Sequence, residues 1–586
     1  MSYFTRVCLM MTRSVYFMLL YLVAFPVYAE VVVSGLDGET QNNVLLTLSL
    51  TKEKCESPEW KIQGLFDKAD KEIDQALRAL GYYHASVNKK SLAFKDGCWK
   101  AVFNINPGKR VFVSDVAIVI NGDAHEDRYF SRLLKTLPLK NGSPVNHGHY
   151  ESMKSKIESL ALERGYLQGQ FTEHKLLINK QDNSAQIRLV FDAGKRRVFD
   201  EVVVEQDILD PELVKKYVSI KSGAFYNSEQ VVNTHNALSK SGYFDTIDIR
   251  PDIENKGQQR VPVTIKLTPK PKHHFGFGAG YDTDIGPLLN AAYTNRRINR
   301  RGHFLGANLD IAPVLSTADV EYTIPLADPV NESFSFGGGF KHEDTDSFKS
   351  TSGTLSARLK HAFDSGWKQA LFVDYSYEQF DTGTESGRTL LLVPGGNWLQ
   401  SVSNNSMRPS KGHRLEFEVK GSYKNPLSDV SFIQGYLSAV WVHSIGMRTS
   451  PLRGKFIGRA EQGATLVDQF DKLPTTYRYY AGGINSIRGY AYKELGPKDS
   501  LGNSIGGRFL TVLSAEYEQA LFDNWGVAAF VDMGNAYNFN HIEINTGVGL
   551  GLRWYSPIGP VRVDFALPLN DSDSSFQIHF AAGSRI

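Results

Sequence analysis

Gly547-Val548-Gly549-Leu550-Gly551-Leu552-Arg553-Trp554 and, shortly after it, Val561-Arg562-Val563-Asp564-Phe565-Ala566-Leu567 decide the class of fold. In the first stretch the glycines and Arg553 occupy one set of alternate positions and the bulky residues the other. In the second, Val561, Val563, Phe565 and Leu567 share a face, with Arg562, Asp564 and Ala566 opposite. Period-two alternation is the pattern of a β-strand. A soluble sandwich buries its apolar face in a packed core, whereas a membrane barrel turns that face to lipid and keeps polar residues inside. Glycine usage favours the barrel. A Gly-x-Gly-x-Gly run suits a nucleotide loop only where a helix starts after it, and none does here.

The same pattern extends in both directions, from Lys272 to the C-terminus. Phe275-Gly276-Phe277-Gly278-Ala279-Gly280-Tyr281 repeats the glycine face. Val320-Glu321-Tyr322-Thr323-Ile324, Leu371 to Tyr377 and Leu415 to Lys420 alternate likewise. Turn signals divide the region into about sixteen antiparallel strands, an even number as closed bacterial barrels require. They begin near 273, 288, 303, 317, 331, 350, 367, 388, 412, 430, 455, 508, 525, 544, 559 and 574.

Upstream, residues 30 to about 270 mix helical and strand periods. Ile73, Leu77 and Leu80 have helical spacing, as do Tyr150, Met153, Ile157 and Leu160. Asn227 or Ser228 can cap a third helix holding Val231, His235 and Leu238. All three stop alike, at Leu80-Gly81-Tyr82-Tyr83, Arg164-Gly165-Tyr166-Leu167 and Ser241-Gly242-Tyr243-Phe244. Glycine takes the left-handed conformation past a helix end, and the next aromatic packs back on the last turn. Tyr82 is expected to meet Leu77, and Tyr243 to meet Leu238. Strand-like pairs follow, such as Ala101-Val102-Phe103 and Val261 to Ile265. The first two units end alike, in Pro107-Gly108-Lys109-Arg110-Val111-Phe112 and Ala193-Gly194-Lys195-Arg196-Arg197-Val198-Phe199. A period of roughly 80 residues makes these three copies of one small α+β domain. The boundaries read 30–109, 110–195 and 196–271, with the barrel at 272–586.

At the N-terminus, Arg6 and Arg13 precede an apolar run from Val15 to Phe25, and Val27-Tyr28-Ala29 ends in a small residue. This is a signal-peptide pattern over residues 1–29. The run is too short for a span of ~20 residues, and no later segment approaches one. A membrane location then requires a closed barrel. An exported chain oxidises, so Cys55 and Cys98 are disulfide candidates, a metal site being the open alternative. The 586 residues carry a formal net charge of +2, which argues against a nucleic-acid binder working through bulk positive charge. There is no Gly-x-Ser-x-Gly elbow or zinc helix motif, so no enzyme and no cofactor is expected. His147, His149, His273 and His274 are too sparse for a metal site.

The longest loop, about 471 to 507, follows the eleventh strand and begins on the extracellular side if the repeats are periplasmic. It holds Gly482-Gly483-Ile484-Asn485-Ser486-Ile487-Arg488-Gly489-Tyr490. Alternation puts Glu516 and Asp532 on lumen-facing positions of the next strands, the latter in Phe530-Val531-Asp532-Met533-Gly534-Asn535. If the loop dips into the lumen, Arg488 has carboxylates for bidentate contacts that fix geometry.

The Ile-Arg-Gly-Tyr loop, the Phe-x-Asp-x-Gly strand and the preceding polypeptide-transport-associated (POTRA) repeats resemble the superfamily of BamA, TamA and two-partner secretion transporters. By matched position the resemblance implies that Arg488 pairs with Asp532 of the thirteenth strand, with Glu516 as a neighbouring acceptor and Gly489, Tyr490 and Gly534 in the same motif. Asn295 to Gly302 resembles a turn of that family, and its four arginines otherwise suggest nucleic acid; a periplasmic barrel turn is the reading adopted. Three repeats select the TamA branch. That resemblance implies an outer-membrane insertase for autotransporters and other β-barrel clients, with an inner-membrane-anchored, TamB-like partner on the repeats. Insertion needs a weak seam between the first strand (Phe275, Phe277, Tyr281) and the last (Phe576, Ile578, Phe580, Gly583), whose edges can template a strand and disturb nearby lipid. One glycine of the family's last strand is Ala581 here. A two-partner secretion channel is the rival, and a passive pore the remoter one.

Overall fold

The computed structural model describes residues 29–95, 97–254, 259–382, 384–405, 408–446, 454–539, 542–557, 559–570 and 576–582. The expected signal segment lies outside the described residues except for Ala29, as does Gly583. The chain packs as two compact units, the division passing through the third small domain.

Three α+β domains precede the barrel. The first runs β1 (Glu30–Ser34), α1 (Gly38–Thr47), α2 (Glu59–Ala79), β2 (Ser86–Lys95) and β3 (Cys98–Asn106), with sheet order β1-β3-β2. The second runs β4 (Phe112–Asn121), α3 (Arg128–Lys135), α4 (His147–Arg164), β5 (Gln170–Asn179) and β6 (Ser184–Asp192), ordered β4-β6-β5. The third repeats it with β7 (Val198–Glu205), α5 (Pro211–Tyr217), α6 (Ser228–Lys240), β8 (Phe244–Pro251) and β9 (Arg260–Pro269), ordered β7-β9-β8. Helices α1, α3 and α5 have ten, eight and seven residues, too short to display a helical period, and the sequence reading omits them. The long α2 buries Ile62, Phe66, Ala69, Ile73 and Leu77 along one stripe, against Trp99 and Phe103 of β3. Met153 and Ile157 of α4 likewise meet Ile187, Leu189 and Phe191.

The glycine stops form as expected: Gly81, Gly165 and Gly242 have φ of +91°, +92° and +76°. The Tyr82 N–H reaches back to the Leu77 carbonyl at 3.0 Å, and Tyr166 N–H to Ala161 at 2.8 Å, the bonding of a Schellman cap. The matched basic endings complete these caps. Arg110 Nε donates to the Leu80 carbonyl at 2.9 Å and its guanidinium lies over Tyr82. Arg196 Nε donates to the Arg164 carbonyl at 2.7 Å and lies over Tyr166. Two motifs that look separate in the sequence are therefore two sides of one joint. The Tyr166 hydroxyl also donates to Asp127 at 3.1 Å; burial, and then that carboxylate, push its pKa up to about 12.

The third aromatic has further neighbours. The ring of Tyr243 stacks on Phe304 with centroids 4.9 Å apart, and its hydroxyl donates to the Gly302 carbonyl at 2.5 Å. Both lie at the arginine-rich turn after Asn295. Arg297 donates to the Lys270 carbonyl at 2.9 Å and Arg300 to that of Asp207 at 3.0 Å, so these two cations hold protein backbone.

Sixteen antiparallel strands follow in chain order in one sheet. They are β10 (His273–Asp282), β11 (Gly286–Asn295), β12 (Phe304–Ile311), β13 (Leu315–Pro325), β14 (Glu332–Asp344), β15 (Lys349–Ala362), β16 (Trp367–Asp381) and β17 (Ser386–Ser403). The second half is β18 (Lys411–Ser422), β19 (Phe432–Ile445), β20 (Gly454–Val467), β21 (Phe509–Ala520), β22 (Trp525–Tyr537), β23 (Asn545–Ser556), β24 (Gly559–Pro568) and β25 (Gln577–Ala582). The sheet curls into a nearly closed barrel, with Phe277, Leu355 and Leu550 exposed on its outer face. Among the described residues no helix is long and apolar enough to cross a membrane.

In the first domain Cys55 and Cys98 form a disulfide with a sequence separation of 43. Closing a loop of that size stabilises by about 4 kcal/mol on the chain-entropy model. Replacing both cysteines by serine is therefore expected to make this domain the first part of the chain to be digested in limited proteolysis, with the barrel fragment unchanged.

Candidate functional site

Glycine spacing prepares the lumen for a loop. On β23, a Cβ at position 547 would lie 1.8 Å from the Arg488 carbonyl oxygen, and one at 549 would lie 2.5 Å from the Phe530 ring. At 551 it would meet the Asp564 and Arg553 side chains. The bare lumen face of β23 is thus where the segment between β20 and β21 lies down. Ile487, Tyr490 and Leu495 of that segment pack with Leu510, Val512 and Ala536 of the wall, which anchors the tip without any charged contact.

Arg488 is fully buried, at 0% exposure. Its Nε and Nη2 engage both oxygens of Asp532 at 2.7 and 3.0 Å. Its Nη1 donates to Glu516 at 2.7 Å and to Asp564 at 3.0 Å. Arg553 bonds the same two acceptors from the other side, at 2.8 Å to Glu516 and in a short contact to Asp564. Ser514 donates to Asp532 as well, and the Arg488 guanidinium stacks 3.4 Å from the Phe530 centroid. Two guanidinium groups are thus interleaved with three carboxylates on four neighbouring strands. Desolvating such groups is costly, and the arrangement is favourable only because nearly every donor has an acceptor. Its product is a fixed position for the loop tip.

Asp532 and Glu516, read from alternation, converge on Arg488. Asp564 and Arg553 complete the network, although the sequence signal reached only their lumen-facing parity. Gly489 sits in the tip with φ +97°, and Tyr490 is buried beside Ile487. Gly534 acts elsewhere: its φ is +148°, and a Cβ there would strike the Thr511 carbonyl of the neighbouring strand at 1.9 Å. It shapes the β21–β22 pairing and lies outside the arginine network.

At the edges of the sheet, β10 and β25 share no ladder among the described residues. Thr283 N–H donates to the Phe580 carbonyl and Phe580 N–H to Thr283 Oγ1, both at 3.2 Å. Tyr281 and Phe580 place their rings 6.0 Å apart. Phe275 packs on Tyr293, while Phe277, Phe576 and Ile578 are exposed on the outer face.

His147 pairs with Tyr83 and His273 with Tyr293. Among the described residues no group of three or more potential ligands is placed to hold a metal.

Residues 298–586 match the Omp85 superfamily domain. Residues 30–107 match the model described as POTRA domain TamA domain 1, and residues 198–270 the POTRA model described as surface antigen variable number repeat. The chain is 22% identical over 406 residues to the outer membrane protein assembly factor BamA of Nitratidesulfovibrio vulgaris, covering 66% of this chain and 49% of that protein. It is 19% identical over 521 residues to that of Neisseria meningitidis serogroup B, covering 77% and 64%. The chain thus spans about half to under two thirds of these relatives. The crystal structure of BamA from Haemophilus ducreyi lacking POTRA domains 1-3 superposes with a TM-score of 0.64 at 18% identity, over 80% of this chain and 99% of that one, a likeness of fold.

Proposed function

We propose that this chain, an Omp85 superfamily barrel carried behind POTRA domains, is an insertase of a Gram-negative outer membrane, with its three α+β domains in the periplasm. The observation that carries this reading is a sixteen-strand sheet whose first and last strands share no ladder among the described residues. An open strand edge presents unpaired N–H and C=O groups, and an incoming strand can satisfy them. Autotransporters and other barrel proteins supply such strands. The small domains carry further edge strands, β2, β5 and β8, on which an extended client can add one more. The match of the first domain to a TamA-type model supports a TamB-like, inner-membrane-anchored partner at this end. A loop in the lumen and three such domains favour this reading over a passive pore, and the count of three domains favours it over a two-partner secretion channel.

The test is a reversible bolt across the seam. Tyr281→Cys with Phe580→Cys is expected to halt assembly of an autotransporter client when oxidised and to restore it on reduction. Undiminished assembly at complete crosslinking sinks the seam mechanism.

A further inference from the structure

The loop tip is hydrogen-bonded to both edges of the sheet. On the first-strand side, Asp284 lies in the turn between β10 and β11 and accepts the Ile484 N–H, at 2.9 Å to Oδ2 and 3.2 Å to Oδ1. On the last-strand side, the His579 Nε2 of β25 accepts the Gly489 N–H at 3.0 Å. The two acceptors face one another across the gap, His579 Nδ1 standing 4.0 Å from Asp284 Oδ1, with side-chain exposures of 3% and 9%. Gly483 makes room for this: a Cβ there would lie 2.5 Å from Asp284 Oδ2. The Arg488 network anchors the same short peptide to β21, β22 and β24.

Among the described residues, the direct bonds between the two edges are those of Thr283 and Phe580. By comparison, β10 pairs with β11 in register from His273 to Asp282. A gap with so few direct bonds stays shut only if something else spans it. We infer that Asp284 and His579 are positioning residues that clasp the seam closed through the backbone of residues 484–489, so that docking of the loop and closure of the seam form one equilibrium. Arg488 sets where the tip lies, and Asp284 and His579 convert that position into closure. A strand adding to β10 must release this clasp first. The consequence for client assembly rests on the insertase reading; the closure itself does not.

The experiment uses the full mature chain in phospholipid vesicles, with Ala581→Cys as reporter. Ala581 is buried in β25, and the native cysteines are held in their disulfide. The rate at which an impermeant maleimide labels position 581 then follows release of the last strand. Asp284→Ala is expected to raise that rate about fivefold, the effect of losing one ordinary buried hydrogen bond. His579→Phe should do the same, and the two together should exceed either. Asp284→Asn keeps a carbonyl oxygen for the Ile484 N–H and is expected to stay near the parent rate, an outcome that general damage to the turn would not give. Heat-modifiable migration on gels identifies folded barrels. If His579→Phe does not fold, the Asp284 pair decides alone. Parent-like labelling of folded Asp284→Ala, or equal rises in its alanine and asparagine variants, overturns the clasp. No client is present in this assay. Raised labelling, together with undiminished assembly when the engineered bolt across the seam is fully oxidised, would therefore retain the clasp and remove the insertase reading.

Discussion

Arg488→Ala is expected to yield a folded, membrane-inserted barrel whose loop has left the lumen and whose client assembly is largely lost. The wild-type side chain contacts Asp532, Glu516 and Asp564 at 2.7 to 3.0 Å. Removing it leaves Asp532 without its guanidinium partner and Arg553 still bonded to Glu516 and Asp564 in the buried acidic cluster. Breaking a buried ion pair by deleting one partner costs about 3–5 kcal/mol, because the abandoned charge stays desolvated. The cheapest relief is for the tip to withdraw and water to enter. The strand ladders do not depend on the tip, so the barrel persists. Arg488→Lys should fare little better, since one ammonium cannot span both oxygens of Asp532 and reach two further carboxylates. Protease cleavage between residues 468 and 508 from the outer face reports the withdrawal, and autotransporter assembly reports function. Wild-type assembly by Arg488→Ala would end the proposed role of the loop.

Gly547→Ala is expected to produce the same phenotype with every charge in place. The added methyl would sit 1.8 Å from the Arg488 carbonyl oxygen and 3.0 Å from its carbon. These are backbone atoms fixed at both ends, so no side-chain rotation relieves the overlap. Overpacking of this kind costs about 1–3 kcal/mol or more, here concentrated on the docked loop. The matched control is Gly458→Ala on β20, where a Cβ meets nothing within 4 Å. Loop protection lost at 547 and kept at 458 separates steric seating of the tip from the effect of glycine replacement in a strand. Retained protection at 547 would show that the tip is not seated on β23.

Much of this was legible in the sequence because its causes are local. A strand alternates with period two whatever its neighbours are, so Val561 to Leu567 and Leu415 to Lys420 declare themselves, and the expected strand starts lie within a few residues of those observed. A glycine past a helix end and an aromatic behind it are likewise set by a few consecutive residues, which is why the stops at Gly81, Gly165 and Gly242 reveal three repeats. Parity alone also placed Asp532 and Glu516 on the wall that Arg488 meets.

The remainder depended on which strand lies beside which, and at what stagger. Asp564 is 76 residues from Arg488, and only the order of β21 to β24 brings it to the same guanidinium. Gly547 reads as one more lumen glycine until the loop is seen lying on it. Asp284 and His579 stand at opposite ends of the barrel sequence, and curling of the sheet sets them 4.0 Å apart. Tyr243 carries the same local signature as Tyr82 and Tyr166, yet its partner is Gly302 because a barrel turn follows the third domain where another repeat follows the first two. The sequence by itself determined the strands, the repeats and the inward face of the barrel, all fixed by short-range sterics and alternation. The arginine network, the seating of the loop and the seam were decided by tertiary structure, because each is a contact between segments that only closure of the sheet makes neighbours.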